Sequence, residues 1–278
     1  MSDKYAVIGN PVEHSLSPAI HAEFARATGQ DIAYGKILAP LDGFDAAARK
    51  FFKGGGKGLN VTLPFKRKAW DIVSSRTGYA VDAEAVNTIK VEAGKLVGHN
   101  TDGLGLIADL EQNLRFSIRD KRVLLMGAGG ATYGVVHPLL DRRPGLLVVA
   151  NRTVEKAVQL VAHFKKVQGI SAGVLSGKPY DQLSGLKFDL IINATSAGLK
   201  EEMPPLPERV FAPGALAYDM VYGKATPFLK FAEDRGVRTA DGLGMLVEQA
   251  AESFVIWRVC VRPQTAPVIE MLRRAAKG

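Results

Sequence analysis

Cysteine is nearly absent from this sequence, since Cys260 is the only one among 278 residues. A single cysteine excludes an internal disulfide and a zinc site built from several cysteines. It fits a reducing compartment, so we expect a cytoplasmic protein. The five histidines form no short metal-ligand motif. We therefore predict no metal site.

Long uncharged stretches are also scarce. The longest stretch without Asp, Glu, Lys or Arg covers residues 123–140, and four glycines, a histidine and a proline interrupt it. This punctuation indicates a strand, a turn and a helix rather than a transmembrane helix. The N-terminal residues lack the basic region and apolar run of a signal peptide. We expect no membrane partner.

The net charge is +8, but no region concentrates it. The excess is +3 over residues 1–100, +3 over 101–241 and +2 over 242–278. The densest basic cluster, residues 66–68, lies between apolar side chains and is typical of a solvated helix face. We expect no nucleic-acid partner and a small-molecule ligand instead. With 47% hydrophobic residues, a chain of this length has room for two cores.

Apolar runs alternate with helical patterns along most of the chain. Strands are predicted at 5–9, 32–39, 58–62, 122–126, 146–150, 188–193 and 216–220, with a short one near 237. Helices are predicted at 17–29, 44–52, 102–114, 131–140, 154–164 and from Leu243 onward. Ser17 is the expected N-cap of the first helix. Repeated strand–helix units with apolar strands predict an α/β protein with a parallel sheet covered on both faces.

A glycine-rich segment follows the predicted strand 122–126 and opens a helix. It consists of Gly127, Ala128, Gly129, Gly130 and Ala131. Glycines at such a turn let the backbone approach a pyrophosphate, which then lies against helix N–H groups. Thr132 stands at the sixth position, where the strict motif has glycine. A purely structural turn is the alternative, but the strand–turn–helix context favours a dinucleotide site.

The end of the next strand favours NADP over NAD. The strand is followed by Asn151, Arg152 and Thr153, with Lys156 one turn further. NAD sites usually have an acidic residue here, which binds the ribose 2′-hydroxyl. A guanidinium instead holds a 2′-phosphate by charge-assisted hydrogen bonds. The alternative is that Arg152 only caps a surface loop.

Polar side chains near the first predicted strands suggest a ligand site. Ser15 and Ser17 offer two hydroxyls at a helix N-terminus, which suits a carboxylate. Asn60 and Thr62 lie on the same face of a strand, with Lys66 on the turn beyond.

Two further polar residues belong to predicted helices. Asp102 precedes a helix, and its spacing alone favours an N-cap over a catalytic role. Gln249 falls outside the apolar stripe of the helix that starts at Leu243. We expect its amide to face something other than the core.

Seven motifs in register resemble the shikimate dehydrogenase family across nearly the whole chain. They are Ser15-Leu16-Ser17-Pro18, Asn60-Val61-Thr62-Leu63-Pro64-Phe65-Lys66, Ala85-Val86-Asn87-Thr88, Asn100-Thr101-Asp102-Gly103, Gly127-Ala128-Gly129-Gly130-Ala131, Asn151-Arg152-Thr153 and Gly242-Leu243-Gly244-Met245-Leu246-Val247-Glu248-Gln249. Two positions depart from the usual family pattern, Ala22 in place of Asn and Glu84 in place of Gly. Neither touches a residue on which the chemistry depends.

This resemblance implies a reduction of the ketone of 3-dehydroshikimate by NADPH, in the route to aromatic amino acids. It implies that Lys66 and Asp102 form the catalytic pair. The substrate-binding residues that it implies are Ser15, Ser17, Asn60, Thr62, Asn87, Asp102, Tyr222 and Gln249. Met220 and Gly242 join residues 127–131, 151–153 and Lys156 as cofactor-binding residues.

The implied architecture has two lobes. Residues 1–101 and 242–278 form an α/β substrate domain, to which the C-terminal helices return, and residues 102–241 form a Rossmann-like NADP domain. A cleft between lobes is a favoured ligand site. We expect a monomer or a homodimer. A relative that oxidises quinate or prefers NAD, and a non-catalytic NADP-binding regulator, stay open as alternatives.

Overall fold

The structure is a computed structural model that describes residues 2–168, 173–195 and 202–276. The chain divides into two compact units. The first consists of Met1–Gly105 and Leu246–Gly278, and the second is Leu106–Met245. None of the helices in the described ranges is long and apolar enough to cross a membrane.

The first unit has a six-stranded sheet. Its strands are β1 Asp3–Gly9, β2 Ile32–Leu38, β3 Gly56–Val61, β4 Ser75–Arg76, β5 Thr88–Glu92 and β6 Lys95–His99. Their order is β2-β1-β3-β5-β6-β4. β1 lies parallel to β2 and β3, whereas β5 is antiparallel to both β3 and β6, and β4 is parallel to β6. Most of the apolar residues of β1 and β3 are buried against helices.

Five helices follow or connect these strands. They are α1 Ser17–Thr28, α2 Phe44–Lys53, α3 Lys66–Ile72, α4 Gly78–Ala83 and α5 Asp102–Ala108. Lys66 therefore opens a helix instead of lying on a turn. The predicted helix 102–114 is α5 followed by a π-helical turn, Asp109–Asn113. In that turn the Asp109 carboxylate accepts hydrogen bonds from Tyr218 at 2.7 Å and from Asn113 at 3.0 Å.

The prediction that Ser17 caps α1 is wrong. Leu16 is the N-cap, and Ser17 is already helical. The Ser15 hydroxyl accepts the N–H of Ser17 at 3.3 Å, so the local turn depends on Ser15. The expected end of the helix is confirmed, because Gly29 adopts the left-handed conformation with φ 64°.

The second unit has a fully parallel sheet. Its strands are β7 Arg122–Met126, β8 Leu146–Ala150, β9 Leu175–Lys178, β10 Phe188–Asn193, β11 Phe211–Asp219 and β12 Arg238–Asp241. Their order is β12-β11-β10-β7-β8-β9. The chain therefore builds outward from β7 in one direction and from β10 in the other. This reversal is the topological switch point at which α/β sheets bind ligands.

Helices cover both faces of this sheet, as the apolar strands predicted. They are α6 Gly130–Asp141, α7 Val154–Gln168 and α8 Pro227–Glu233. Val123 and Leu125 of β7 pack into one core, and Leu124 and Met126 into another. The predicted α/β class with a parallel sheet is confirmed, and β11 is longer than the predicted strand 216–220.

The last two helices are α9 Leu243–Arg258 and α10 Ala266–Ala275. From Leu246 onward both belong to the first unit. The Trp257 indole N–H donates to the carbonyl of Ile89 in β5 at 3.0 Å. The C-terminal segment thus completes the unit that the N-terminal residues begin.

Candidate active site

Lys66 and Asp102 form an ion pair in the first unit. Lys66 is the first residue of α3 and Asp102 the first of α5. The Lys66 Nζ donates to Oδ2 of Asp102 at 2.5 Å, and the two side chains are 26% and 10% exposed. Asp102 thus places its carboxylate on a lysine and on an asparagine amide. Such a charge-assisted bond fixes the position of the ammonium group.

Asparagine side chains hold Asp102 in place. The Asn87 amide donates to Oδ1 of Asp102 at 2.8 Å. Asn100 accepts the backbone N–H of Asp102 at 3.1 Å and donates to the carbonyl of Ala85, also at 3.1 Å. One carboxylate oxygen is therefore held by an amide, and the other contacts the lysine.

Asn60 lies near the end of β3, and its side chain is almost entirely buried. Its Oδ1 accepts from Tyr34 at 2.6 Å and contacts the His21 Nε2 at 3.1 Å. Its Nδ2 donates to Ser253 at 3.0 Å and to Thr88 at 3.2 Å. Thr62 follows β3 and is partly exposed at the end of the strand.

The hydroxyls of Ser15 and Ser17 lie side by side. Ser15 Oγ donates to Ser17 Oγ at 3.2 Å. Tyr34 lies beside Ser17, and burial raises the pKa of the tyrosine well above 10.0. The phenol therefore stays protonated, so this pair of hydroxyls has a neutral neighbour.

Gln249 faces polar groups, as its position outside the apolar stripe predicted. Its Oε1 accepts from Asn87 and from Thr101, each at 3.4 Å. Its Nε2 donates to the carbonyl of Leu246 at 2.8 Å. The first unit thus gathers Lys66, Asp102, Asn87 and Gln249 into one network.

The glycine-rich loop of the second unit joins β7 to α6. Gly127 has φ 101°, a conformation that L side chains rarely adopt. No described atom lies within 4 Å of the positions that a Cβ would take on Gly129 or Gly130. Among the residues that the structure describes, no side chain caps the first turn of α6. The open space and the uncapped N–H groups fit a pyrophosphate at this helix N-terminus.

Basic residues follow β8. The Arg152 side chain is 73% exposed, and its guanidinium forms an ion pair with Glu202 at 3.1 Å. Asn151 donates to the carbonyl of Thr153 at 2.8 Å and so shapes the turn. Lys156 is exposed on the first turn of α7. These residues can hold an anion, and Glu202 is a neighbour that the sequence pattern did not indicate.

The remaining predicted site residues of this unit follow β11 and β12. A Cβ on Gly242 would lie 2.3 Å from the carbonyl oxygen of Met220, so only glycine permits this close approach. Tyr222 belongs to the second unit with the predicted cofactor residues, and burial raises the pKa of its hydroxyl. The carboxyl ends of β7, β8, β11 and β12 therefore carry all the predicted cofactor residues.

Two buried residues that shape these sites, Asp219 and Ser253, are not indicated by the sequence motifs. Asp219 is fully buried and accepts from Asn193 at 2.9 Å, from Thr226 at 2.7 Å and from the N–H of Val221 at 2.9 Å. It therefore fixes the segment that carries Met220 and Tyr222. An acidic residue at the end of an apolar strand was the available signal. Ser253 had no comparable signal, because its contacts join segments distant in sequence.

The second unit has a parallel sheet with a glycine-rich loop at its switch point, and the first unit carries a lysine–aspartate pair. These features are typical of a nucleotide-dependent oxidoreductase of the two-domain α/β class. Models of two protein families match the chain. Residues 7–89 match the shikimate dehydrogenase substrate binding domain, and residues 109–200 match shikimate / quinate 5-dehydrogenase. The chain belongs to the shikimate dehydrogenase family.

Individual relatives agree with this assignment. The shikimate dehydrogenase (NADP(+)) of Alkalilimnicola ehrlichii is 55% identical over 275 residues, which cover 98% of this chain and 99% of that protein. That of Nitrosospira multiformis is also 55% identical, with 98% of each chain covered.

Solved structures share the fold. An Ael1 enzyme from Pseudomonas putida has a TM-score of 0.91 and 46% identity, with 98% of each chain covered. Shikimate 5-dehydrogenase from Thermus thermophilus, in complex with NADP(H) and shikimate, has a TM-score of 0.86 and 31% identity. That comparison covers 98% of this chain and 99% of the other.

Proposed function

We propose that this chain reduces 3-dehydroshikimate to shikimate with NADPH and also catalyses the reverse reaction. The single observation that carries the proposal is the Lys66–Asp102 pair, at 2.5 Å, within a polar network of the first unit. The relatives named shikimate dehydrogenase (NADP(+)) support the choice of substrate and cofactor. A non-catalytic regulator would not need this pair.

The first unit is the proposed substrate domain. Ser15 and Ser17 bind the carboxylate, because their adjacent hydroxyls at the start of α1 can rotate to donate to an anion. Thr62, Asn87 and Gln249 meet the ring hydroxyls, and Asn60 flanks them. Tyr222 of the second unit is a further substrate ligand in this proposal.

The second unit is the proposed NADP domain. The N–H groups of residues 127–131 hold the pyrophosphate, because the space beside Gly129 and Gly130 is open. Arg152 and Lys156 hold the 2′-phosphate, with Asn151 and Thr153 shaping that turn. Met220 and Gly242 line the nicotinamide end.

The reaction adds a hydride to the ketone carbon and a proton to its oxygen. The bound cofactor supplies the hydride. The Lys66 ammonium stabilises the charge that develops on the oxygen and gives it the proton. Asp102 holds the ammonium in position, and the resulting amine regains a proton from solvent. In the reverse direction, Lys66 accepts the proton of the hydroxyl.

Replacement of Lys66 tests the proposal. We expect Lys66→Ala to lower kcat for shikimate oxidation by about 10²-fold or more, with KM for shikimate less affected. Lys68→Ala is the matched control, because Lys68 lies on the same helix and its amino group contacts the carbonyl of Leu41 instead. Near-normal turnover by Lys66→Ala would remove Lys66 from the mechanism.

The proposal also includes the compartment and the oligomeric state of the protein. We infer a cytoplasmic enzyme that acts as a monomer or a homodimer. The single cysteine supports a reducing compartment. The even spread of the basic residues supports small anionic ligands over nucleic acid.

A further inference from the structure

Asn87 is 2% exposed. The oxygen and the nitrogen of its side-chain amide have different hydrogen-bond partners. Its Oδ1 accepts the N–H of Thr101 at 2.9 Å and the hydroxyl of Thr88 at 2.8 Å. Its Nδ2 donates to Oδ1 of Asp102 at 2.8 Å. A half-turn of the amide keeps its shape but would place its oxygen against the carboxylate. Hydrogen-bond partners alone therefore decide its orientation.

The Thr88 hydroxyl lies between the side chains of Asn60, Asn87 and Ser253. The Asn60 Nδ2 donates to Thr88 Oγ1 at 3.2 Å, and an amide nitrogen cannot accept. Ser253 Oγ lies 2.7 Å from the same oxygen. Thr88 is fully buried. Asn87 Oδ1 lies 2.8 Å from Thr88 Oγ1 and cannot donate, so the hydrogen between these two oxygens is that of Thr88.

Asn60 is itself held in one orientation. Its Oδ1 accepts from Tyr34 at 2.6 Å and from the His21 Nε2 at 3.1 Å, which uses both lone pairs of that oxygen. Its two amide hydrogens are directed at Thr88 and Ser253. The described residues therefore occupy both lone pairs and both amide hydrogens of Asn60.

We propose that Thr88 is a positioning residue of the reaction, which passes the orientation of Asn60 to Asn87 and thereby to Asp102. The hydrogen bonds run in one direction, from Tyr34 to Asn60, Thr88, Asn87 and the Asp102 carboxylate. Asp102 is then held on Oδ1 and presents Oδ2 to Lys66. Beside the substrate, Asn60 thus acts on Asp102 through Thr88. This inference rests on the proposed function of the Lys66–Asp102 pair.

Two substitutions at Thr88 separate its hydroxyl from its shape. Thr88→Val keeps the volume and removes the hydroxyl, and Thr88→Ser keeps the hydroxyl. We expect Thr88→Val to lower kcat for shikimate oxidation by about 10-fold or more, because a displaced catalytic group loses most of its effect. KM for NADP⁺ is expected to stay unchanged, and Thr88→Ser is expected to restore most of kcat.

Two kinetic outcomes would overturn the inference. They are an unchanged kcat in Thr88→Val, whether or not KM for shikimate rises, and a Thr88→Ser variant as slow as the valine variant. If the valine variant does not fold, Thr88→Ala can replace it in the comparison with Thr88→Ser, because alanine also lacks the hydroxyl.

A spectroscopic test does not depend on turnover. The side-chain N–H₂ resonances of Asn87, identified by their loss in Asn87→Asp, should shift in Thr88→Val and return in Thr88→Ser. Unchanged resonances in the valine variant would contradict the inference. An unmodified protein without activity on shikimate would contradict the proposed function instead, and these resonances would still decide the role of Thr88.

Discussion

At the scale of single residues, His21 is an imidazole placed wholly inside the first unit. It stacks on Tyr34, with ring centroids 4.3 Å apart, and its Nε2 contacts Asn60 at 3.1 Å. The His21 Nδ1 has no hydrogen-bond partner among the described residues. Burial lowers the pKa of His21 from 6.5 to about 3, because a charged ring would lose its hydration there.

This burial predicts a pH-dependent stability. Between pH 6.5 and about 3, the unfolded chain binds a proton at His21 that the folded chain does not. The free energy of unfolding should therefore fall as the pH drops through this window, by about 2 kcal/mol between pH 6.5 and pH 5. Above this window His21 contributes no pH dependence.

Urea unfolding of the unmodified protein and of His21→Gln measures this contribution. Glutamine keeps an N–H donor for Asn60 and does not titrate. The difference in unfolding free energy between the two proteins should change by about 2 kcal/mol between pH 6.5 and pH 5. The contributions of the other titrating groups are the same in both proteins and cancel in this difference. A constant difference from pH 7 to pH 5 would show that His21 is not buried as a neutral ring.

Arg152 is a second single residue with a testable role, because its guanidinium is proposed to distinguish NADP⁺ from NAD⁺. Its exposed ion pair with Glu202 is weak enough for a 2′-phosphate to displace the carboxylate. We expect Arg152→Gln to reduce the preference for NADP⁺ over NAD⁺ by about 10-fold or more, since the charge-assisted fork is lost. The measurement is kcat/KM with each cofactor.

Arg209→Gln is the control for this prediction, because Arg209 is an exposed arginine of the same unit. Its preference for NADP⁺ should equal that of the unmodified protein. If Arg152→Gln kept the full preference, the 2′-phosphate would have to be bound by other residues.

At the scale of elements, the turn between β7 and α6 contains two glycines with different roles. The backbone conformation requires one of them, and the other faces the proposed ligand. Gly127 needs its positive φ, and a Cβ there would also lie 3.1 Å from Thr195. Gly129 has φ −96° and ψ −175°, which any residue adopts. The space beside Gly129 is the proposed place of the pyrophosphate.

Alanine substitutions at these two glycines should therefore act differently. Gly127→Ala is expected to lower the free energy of unfolding by about 1 kcal/mol or more. Gly129→Ala should leave Tm nearly unchanged but weaken NADP⁺ binding by about 10-fold or more, because its methyl group occupies the path of the pyrophosphate. Thermal unfolding and calorimetric titration with NADP⁺ measure both effects. Unweakened binding by a folded Gly129→Ala variant would contradict the proposed phosphate site.

Elements with strong local patterns were predictable from the sequence. The apolar strands 146–150 and 188–193 were predicted with the bounds that the structure has. The hairpin of β5 and β6 was not, because its turn has Ala93 at φ 48° before Gly94 at φ 75°. Such turns usually carry Asn or Asp at the first position, so the sequence signal was missing.

At the scale of the whole molecule, the chain forms two units. The local sequence patterns alone did not predict where one unit ends and the other begins. The units are Met1–Gly105 with Leu246–Gly278, and Leu106–Met245. Their assignment as substrate and NADP domains stays a proposal, like the individual site residues. Spacing alone favoured Asp102 as a helix cap, and only the fold shows its carboxylate on Lys66. Contacts between distant segments decide such roles, and no local pattern contains them.

One assay tests the central claim most directly. The purified, folded protein is given shikimate or quinate, each with NADP⁺ or NAD⁺, and formation of the reduced nicotinamide is followed. We predict the highest kcat/KM for shikimate with NADP⁺, because Arg152 and Lys156 favour the 2′-phosphate and the relatives are named for this pair. Equal rates with both cofactors would contradict the cofactor assignment, and no turnover with any pair would contradict the enzymatic function itself.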